Sequence, residues 1–180
     1  DAAKRDEDSF VDAILEGQPE PQMYFARMKR DNKMGAPVLG RLPAPQQITA
    51  RELKDVANDD DALIIDTRLD RSAFMKRHIP GALYAPMNKT FNTIVGSLVE
   101  DETRPITLII DEEDVEEAVR DLVRIGYDNV VSFADTETLQ RYFAEDGPVA
   151  TIEEIDFDTV DELRSQDGVD VLDVRYRSEY

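Results

Sequence analysis

The sequence predicts an α/β fold, a parallel β-sheet flanked by helices, with a helical tail ahead of it. Three observations carry this expectation. Ile106–Ile110 (ITLII) is apolar or β-branched at every position, the pattern of a strand buried on both faces. Val115, Ala118, Val119, Leu122 and Val123 then recur at helical spacing, and Gly126 ends the stripe. Segments of these two kinds alternate from about Ile48 to Phe143. Such alternation makes a parallel sheet, because each crossover lays a helix over the strands.

Taken in chain order, residues 1–42 read as two helices. Ser9 is the expected cap of the first, with Asp12 three residues on and Phe10, Val11, Ile14 and Leu15 as its apolar stripe; Gly17 should stop it. Pro19 and Pro21 lead into the second, Met23–Lys33, which should end near Gly35. This pair has too little apolar surface to fold alone and must pack against something else. Its Arg27, Lys29, Arg30 and Lys33 read as a solvated helix face. Pro37, Pro43 and Pro45, with Gly40 between, make a stiff linker.

Thr49 and Glu52 form a T-x-x-E capping box that opens a helix through about Val56. Ala62–Asp66 (ALIID) is a buried strand and Ala82–Ala85 a short extended piece. A helix is expected over Phe91–Leu98, a strand over Asn129–Phe133 and a last helix over Thr136–Ala144. Residues 155–175 then repeat residues 48–68 at an offset of 107, without a gap. Cap falls on cap (Thr49, Asp156), and a strand ending in Asp66 and Arg68 falls on one ending in Asp173 and Arg175. One residue out of phase, Arg71–Phe74 answers Arg177–Tyr180. A period of this size is that of a domain, so 151–180 is expected to open a second copy of 43–146.

Composition narrows the chemistry. The 180 residues contain no cysteine, which removes disulfides, zinc ribbons and thiol catalysis. His78 is the only histidine, so no histidine-based zinc site can be built. No apolar run approaches the roughly 18 residues that cross a bilayer, and nothing resembles a signal peptide; a cytoplasmic protein is expected. The ends look cut from a longer chain. Residues 1–47 hold 8 acids and 7 bases, whereas 48–180 hold 32 acids and 14 bases. Such a surface repels nucleic acid and anionic membranes. It reads first as a solvated acidic coat, as in a salt-adapted organism, and second as a docking surface for a basic partner.

A strand ending in Ile65-Asp66-Thr67-Arg68, a short helix, then His78-Ile79-Pro80-Gly81-Ala82 resembles the signature of rhodanese-like domains. Gly126-Tyr127-Asp128-Asn129-Val130 is similar to that family's later helix-to-strand turn. The resemblance covers about 48–143 and begins again at 155–180. It implies that Asp66 and Arg68 brace the loop ahead of His78, that Pro80 and Gly81 set a tight turn, and that His78 hydrogen-bonds its own loop instead of acting as an acid or base. Asp173 and Arg175 would be the matching pair in the second copy. The family's catalytic cysteine lies where a central strand meets a helix, cradled by backbone N–H groups. The matching position here is about Asp111, followed by Glu112, Glu113 and Asp114 in a turn a couple of residues shorter than usual. Four carboxylates there repel thiosulfate and oppose any anionic nucleophile. An N-cap Asp with acids in the first helical turn is also what the helix dipole favours, by about 0.3–1 kcal/mol each. No catalytic and no metal-binding residue is therefore expected in this segment. The alternatives are a phosphatase-like variant built on Asp111 and a sulfurtransferase in the second copy beyond Tyr180.

The run Pro21-Gln22-Met23-Tyr24-Phe25-Ala26-Arg27-Met28-Lys29-Arg30-Asp31-Asn32-Lys33, then Gly35-Ala36-Pro37, resembles the C-terminal end of a metallo-β-lactamase-fold domain fused to rhodanese-like domains. That likeness makes residues 1–42 the helical tail of an upstream domain. It implies a parent that is a metal-dependent hydrolase or persulfide dioxygenase in sulfur metabolism, with zinc or iron upstream and no cofactor in this segment. The partners implied are the upstream domain and the second copy, with homo-oligomerisation left open and neither nucleic acid nor membrane expected.

Overall fold

The computed structural model describes residues 6–16, 21–36 and 38–175. The expected stop at Gly17, the lead-in Pro19, Pro37 of the linker and the Arg177–Tyr180 part of the repeat lie outside them. Five parallel strands form one sheet in the order β1-β5-β4-β2-β3: β1 (Gln46–Gln47), β2 (Leu63–Asp66), β3 (Leu83–Tyr84), β4 (Ile106–Ile109) and β5 (Val130–Ala134). Two four-residue strands, β2 and β4, lie side by side within the sheet. All eight of their residues are buried.

Side-chain alternation divides those strands between two cores. Leu63, Ile65, Ile106 and Leu108 face one way, onto α5 (Phe91–Leu98) and α6 (Glu112–Arg124). Ile64 and Ile109 face the other, onto α3 (Ala50–Ala57) and α7 (Thr136–Ala144), through Leu53, Leu139 and Tyr142. A strand buried on both sides cannot alternate apolar with polar, which is why ITLII reads as a continuous run. Its one polar side chain, Thr107, is satisfied by a 2.8 Å hydrogen bond to Ser132 on β5.

Helix ends follow their caps. The Thr49–Glu52 capping box forms at the start of α3, and the Asp135 carboxylate receives the Thr138 N–H at the start of α7. That backbone hydrogen bond holds the Asp135 carboxyl below its ordinary range. Gly126, at φ +84, ends α6 in the left-handed conformation that glycine tolerates.

Four sequence expectations need correction. α1 (Glu7–Leu15) is capped by Asp6 and not by Ser9: the Asp6 carboxylate accepts the Ser9 N–H, so the helix starts one turn earlier. The strand β1 was not anticipated, since two exposed glutamines carry no apolar signal; its pairing with Ser132 and Phe133 defines it. In α2 (Met23–Met34), Arg27 is not part of a solvated face. Its side chain is only 10% exposed and lies over the Tyr127 ring at 4.3 Å. Finally, the strand expected to end at Asp173 does not form. Helix α8 (Phe157–Leu163) is present, but residues 169–174 pair with no strand, and Leu172 is 82% exposed.

Helix α2 docks on the sheet domain through Arg27 and Tyr24. Arg27 Nη2 donates to the Ile125 carbonyl at 2.6 Å, at the C-terminal end of α6, and Nη1 lies 3.5 Å from Glu102. Tyr24 sits flat against Gly96 of α5, where a Cβ would come within 2.4 Å of the ring. The pair expected to need a packing partner thus finds one for α2. The stripe of α1 stays exposed, with Phe10 at 41% and Leu15 at 62%.

Candidate functional site

The C-terminal ends of β2 and β4 open into a cleft of about 400 Å³, walled by Thr67 to Asp70, Met87, Ile110, Asp111, Asp114, Thr136 and Gln140. In a parallel α/β sheet this is where ligands bind. Two residues, Ile110 and Asp111, connect β4 to α6. Asp111 stands at the N-cap position of α6, as the spacing predicts, with Glu112, Glu113 and Asp114 in the first turn. Its side chain does not cap that helix. It accepts the Thr136 N–H at 3.0 Å and so ties the start of α6 to the start of α7. A strand that enters its helix after two residues has no loop of N–H groups to wrap around a substrate.

Several other polar groups of the cleft are committed. Thr67 donates its hydroxyl to the Ile109 carbonyl at 2.8 Å, and Asp70 accepts the Ala73 N–H at 3.0 Å to cap α4 (Arg71–Lys76). Arg68 is the only cation among the described residues of the wall. Its guanidinium is locked against Asp66, which is 1% exposed, and donates to the Arg77 carbonyl at 3.0 Å. With three carboxylates (Asp70, Asp111 and Asp114) and no available positive charge, the cleft repels anions. Among the described residues no group of three or more His, Asp or Glu side chains is placed to hold a metal ion.

The signature residues are engaged with backbone, Asp66 and Arg68 at the cleft end of β2, and Pro80 and Gly81 towards the opposite, N-terminal end of the strands, beside Ala62 and Ile64. Arg68 reaches Arg77, the residue before His78, so the Asp66–Arg68 pair does touch the segment ahead of Pro80 and Gly81. Gly81 has φ +77, and the Ala82 N–H closes the turn onto the Ile79 carbonyl at 3.0 Å. His78 is buried and stacked on Phe74 at 4.1 Å. Its Nδ1 lies 2.8 Å from the Phe74 carbonyl, so its partner is α4 and not its own loop. Its backbone pairs antiparallel with Ala150. Asp173 and Arg175 are far more exposed and form the same local pair. Thr136, Met87 and Gln140 were invisible to sequence reasoning. Thr136 and Gln140 reach the cleft from α7 and Met87 from the segment after β3, and only the packing of the sheet brings them beside Asp111.

Fold and cleft define an α/β domain with its ligand edge at the carboxyl ends of a parallel sheet. Residues 49–136 match the family model of the rhodanese-like domain, and the five-stranded parallel sheet flanked by helices is the fold of that family. The chain is also similar to a metallo-beta-lactamase from Staphylococcus aureus, at 26% identity and a TM-score of 0.59, over 74% of this chain and 36% of that one. The chain thus spans about a third of that protein's length. A rhodanese-like domain from Anabaena sp. shows 26% identity and a TM-score of 0.48, covering 75% of this chain and 94% of that one. Wild-type EanB shows 21% and 0.49, covering 72% and 34%. No curated protein matches the chain. No helix among the described residues is long and apolar enough to cross a membrane.

Proposed function

We propose that the rhodanese-like domain over 43–146 is catalytically silent and serves as a structural and docking module of a larger protein. The observation that carries this reading is the β4–α6 turn. Where the family's chemistry needs a thiolate in a cradle of N–H groups, this chain has no cysteine, a two-residue connection, and a carboxylate already bonded to the Thr136 N–H. A persulfide has no sulfur to form on, and an anionic donor meets Asp111 and Asp114 with no free cation beside them.

The larger protein, in this proposal, is a metallo-β-lactamase–rhodanese fusion acting as a hydrolase or persulfide dioxygenase in sulfur metabolism. The Staphylococcus aureus metallo-beta-lactamase supports it, because the similarity extends over a share of this chain larger than the 49–136 segment alone. Any zinc or iron would then belong to the part upstream, and residues 1–42 would be its tail.

Two assays on the chain test the silent-domain reading: thiocyanate formation from thiosulfate and cyanide, and Mg²⁺-dependent hydrolysis of p-nitrophenyl phosphate. Neither should exceed the buffer rate. Turnover in either one overturns the reading.

A further inference from the structure

A second groove lies away from the cleft, between the linker and α6. Leu42, Pro43, Ala44 and Pro45 form one wall, Val115 and Val119 the other, with Phe133 beneath, and together they enclose about 310 Å³. Glu112 and Glu116 line the same groove. Val115 and Val119 are one helical turn apart, and so are Glu112 and Glu116. An apolar ridge and an acidic ridge therefore run side by side along α6. Glu113, Asp114 and Glu117 add three exposed carboxylates nearby, and among the described residues no basic one lines the groove. Arg120 already pairs with Glu116, which leaves Glu112 the first to meet an incoming charge.

We propose that this groove is the docking site of a basic polypeptide segment, which lays one or two aliphatic side chains between Pro43, Pro45 and Val115 and sets Lys or Arg against Glu112 and Glu116. The occupant follows from charge complementarity. Residues 48–180 carry 32 acids against 14 bases, so an anionic surface of any kind is repelled, while the apolar floor selects a side chain over a bare cation. The proposal rests on the docking-module reading and names its partner's chemistry.

The test titrates the ¹⁵N-labelled chain with two synthetic 12-residue peptides. One alternates lysines with leucines spaced four apart; in the other each leucine is replaced by serine. The leucine peptide should shift the amides of Ala44, Val115, Val119 and Phe133 first and bind at least tenfold more tightly than the serine peptide. Both Glu112→Lys/Glu116→Lys and Leu42→Asp change exposed positions, so the fold should hold, and each should weaken the leucine peptide at least tenfold. Equal binding of the two peptides, or shifts scattered over the acidic surface, would reduce the groove to part of a solvated coat and overturn the proposal. A negative result here with both enzyme assays still silent removes the docking site alone. Peptide binding together with turnover removes the silent-domain reading alone.

Discussion

Asp66 and Asp173 carry one motif into two environments. In both, the carboxylate accepts the backbone N–H of the residue two further on and the forked guanidinium of the same arginine. Arg68 N–H lies 3.1 Å from Asp66 and its Nη2 2.7 Å; Arg175 N–H lies 2.9 Å from Asp173 and its Nη2 2.5 Å. The pair is thus a local device that needs no sheet around it. Its energetic weight does depend on the sheet. Asp66 is 1% exposed and Arg68 13%, whereas Arg175 is 59% exposed. Removing one partner of a buried ion pair leaves the other charge stranded, at a cost of about 3–5 kcal/mol. Asp66→Asn should lower stability by that order in chemical denaturation, and Asp173→Asn should leave the midpoint unmoved. Equal effects would contradict the different roles given to the two copies.

Among the elements, α2 separates what the chain spells out locally from what only packing decides. Strands β2 and β4 were legible because burial on both faces forces an unbroken apolar run, and α3, α6 and α7 because cap residues and stripes coincide. Arg27 was not legible. In sequence it is one of four bases on a polar helix, indistinguishable from Lys29, Arg30 and Lys33 until the C-terminal end of α6 comes beside it. The site was legible to the same extent. Asp111 follows from the order of strand and helix, but its bond to Thr136 depends on how α6 and α7 approach each other, and no periodicity encodes that. A charged hydrogen bond and a cation–π contact contribute about 1.5–3 and 0.5–2 kcal/mol respectively. Arg27→Ala should therefore cost at least about 2 kcal/mol and raise hydrogen exchange along Met23–Met34. Gly96→Ala, by driving a methyl into the Tyr24 ring, should loosen the same helix without disturbing β2 or β4. If α2 exchanges no faster in either variant, the docking described for it is wrong.

For the molecule as a whole, 40 acids against 21 bases set the terms. The ion pairs on the surface are mostly single and exposed, such as Arg71 with Glu154 at 3.0 Å, and salt weakens each of them only slightly. Repulsion among the unpaired carboxylates acts over the whole surface and is screened by the same salt. Repulsion should dominate the balance, so the thermal midpoint should rise between 0.02 and roughly 0.3 M NaCl at pH 7. Each kcal/mol of relieved repulsion moves it by about 2–4 °C in a chain of this length. A falling midpoint would mean that the ion pairs matter more than the excess charge.

The same excess gathers at the mouth of the sheet, and there the account can be tested most directly. Asp111→Cys restores a sulfur to the position where the family places one, without lengthening the turn or supplying a cation. The measurement is thiocyanate release from thiosulfate and cyanide by the unaltered chain and by this variant. Both should run at the buffer rate, since the two-residue turn offers no ring of N–H groups and Asp114 remains. Steady turnover by the unaltered chain would contradict the silent domain outright, and turnover by the variant would show that the cradle survives and that only the thiol was lost.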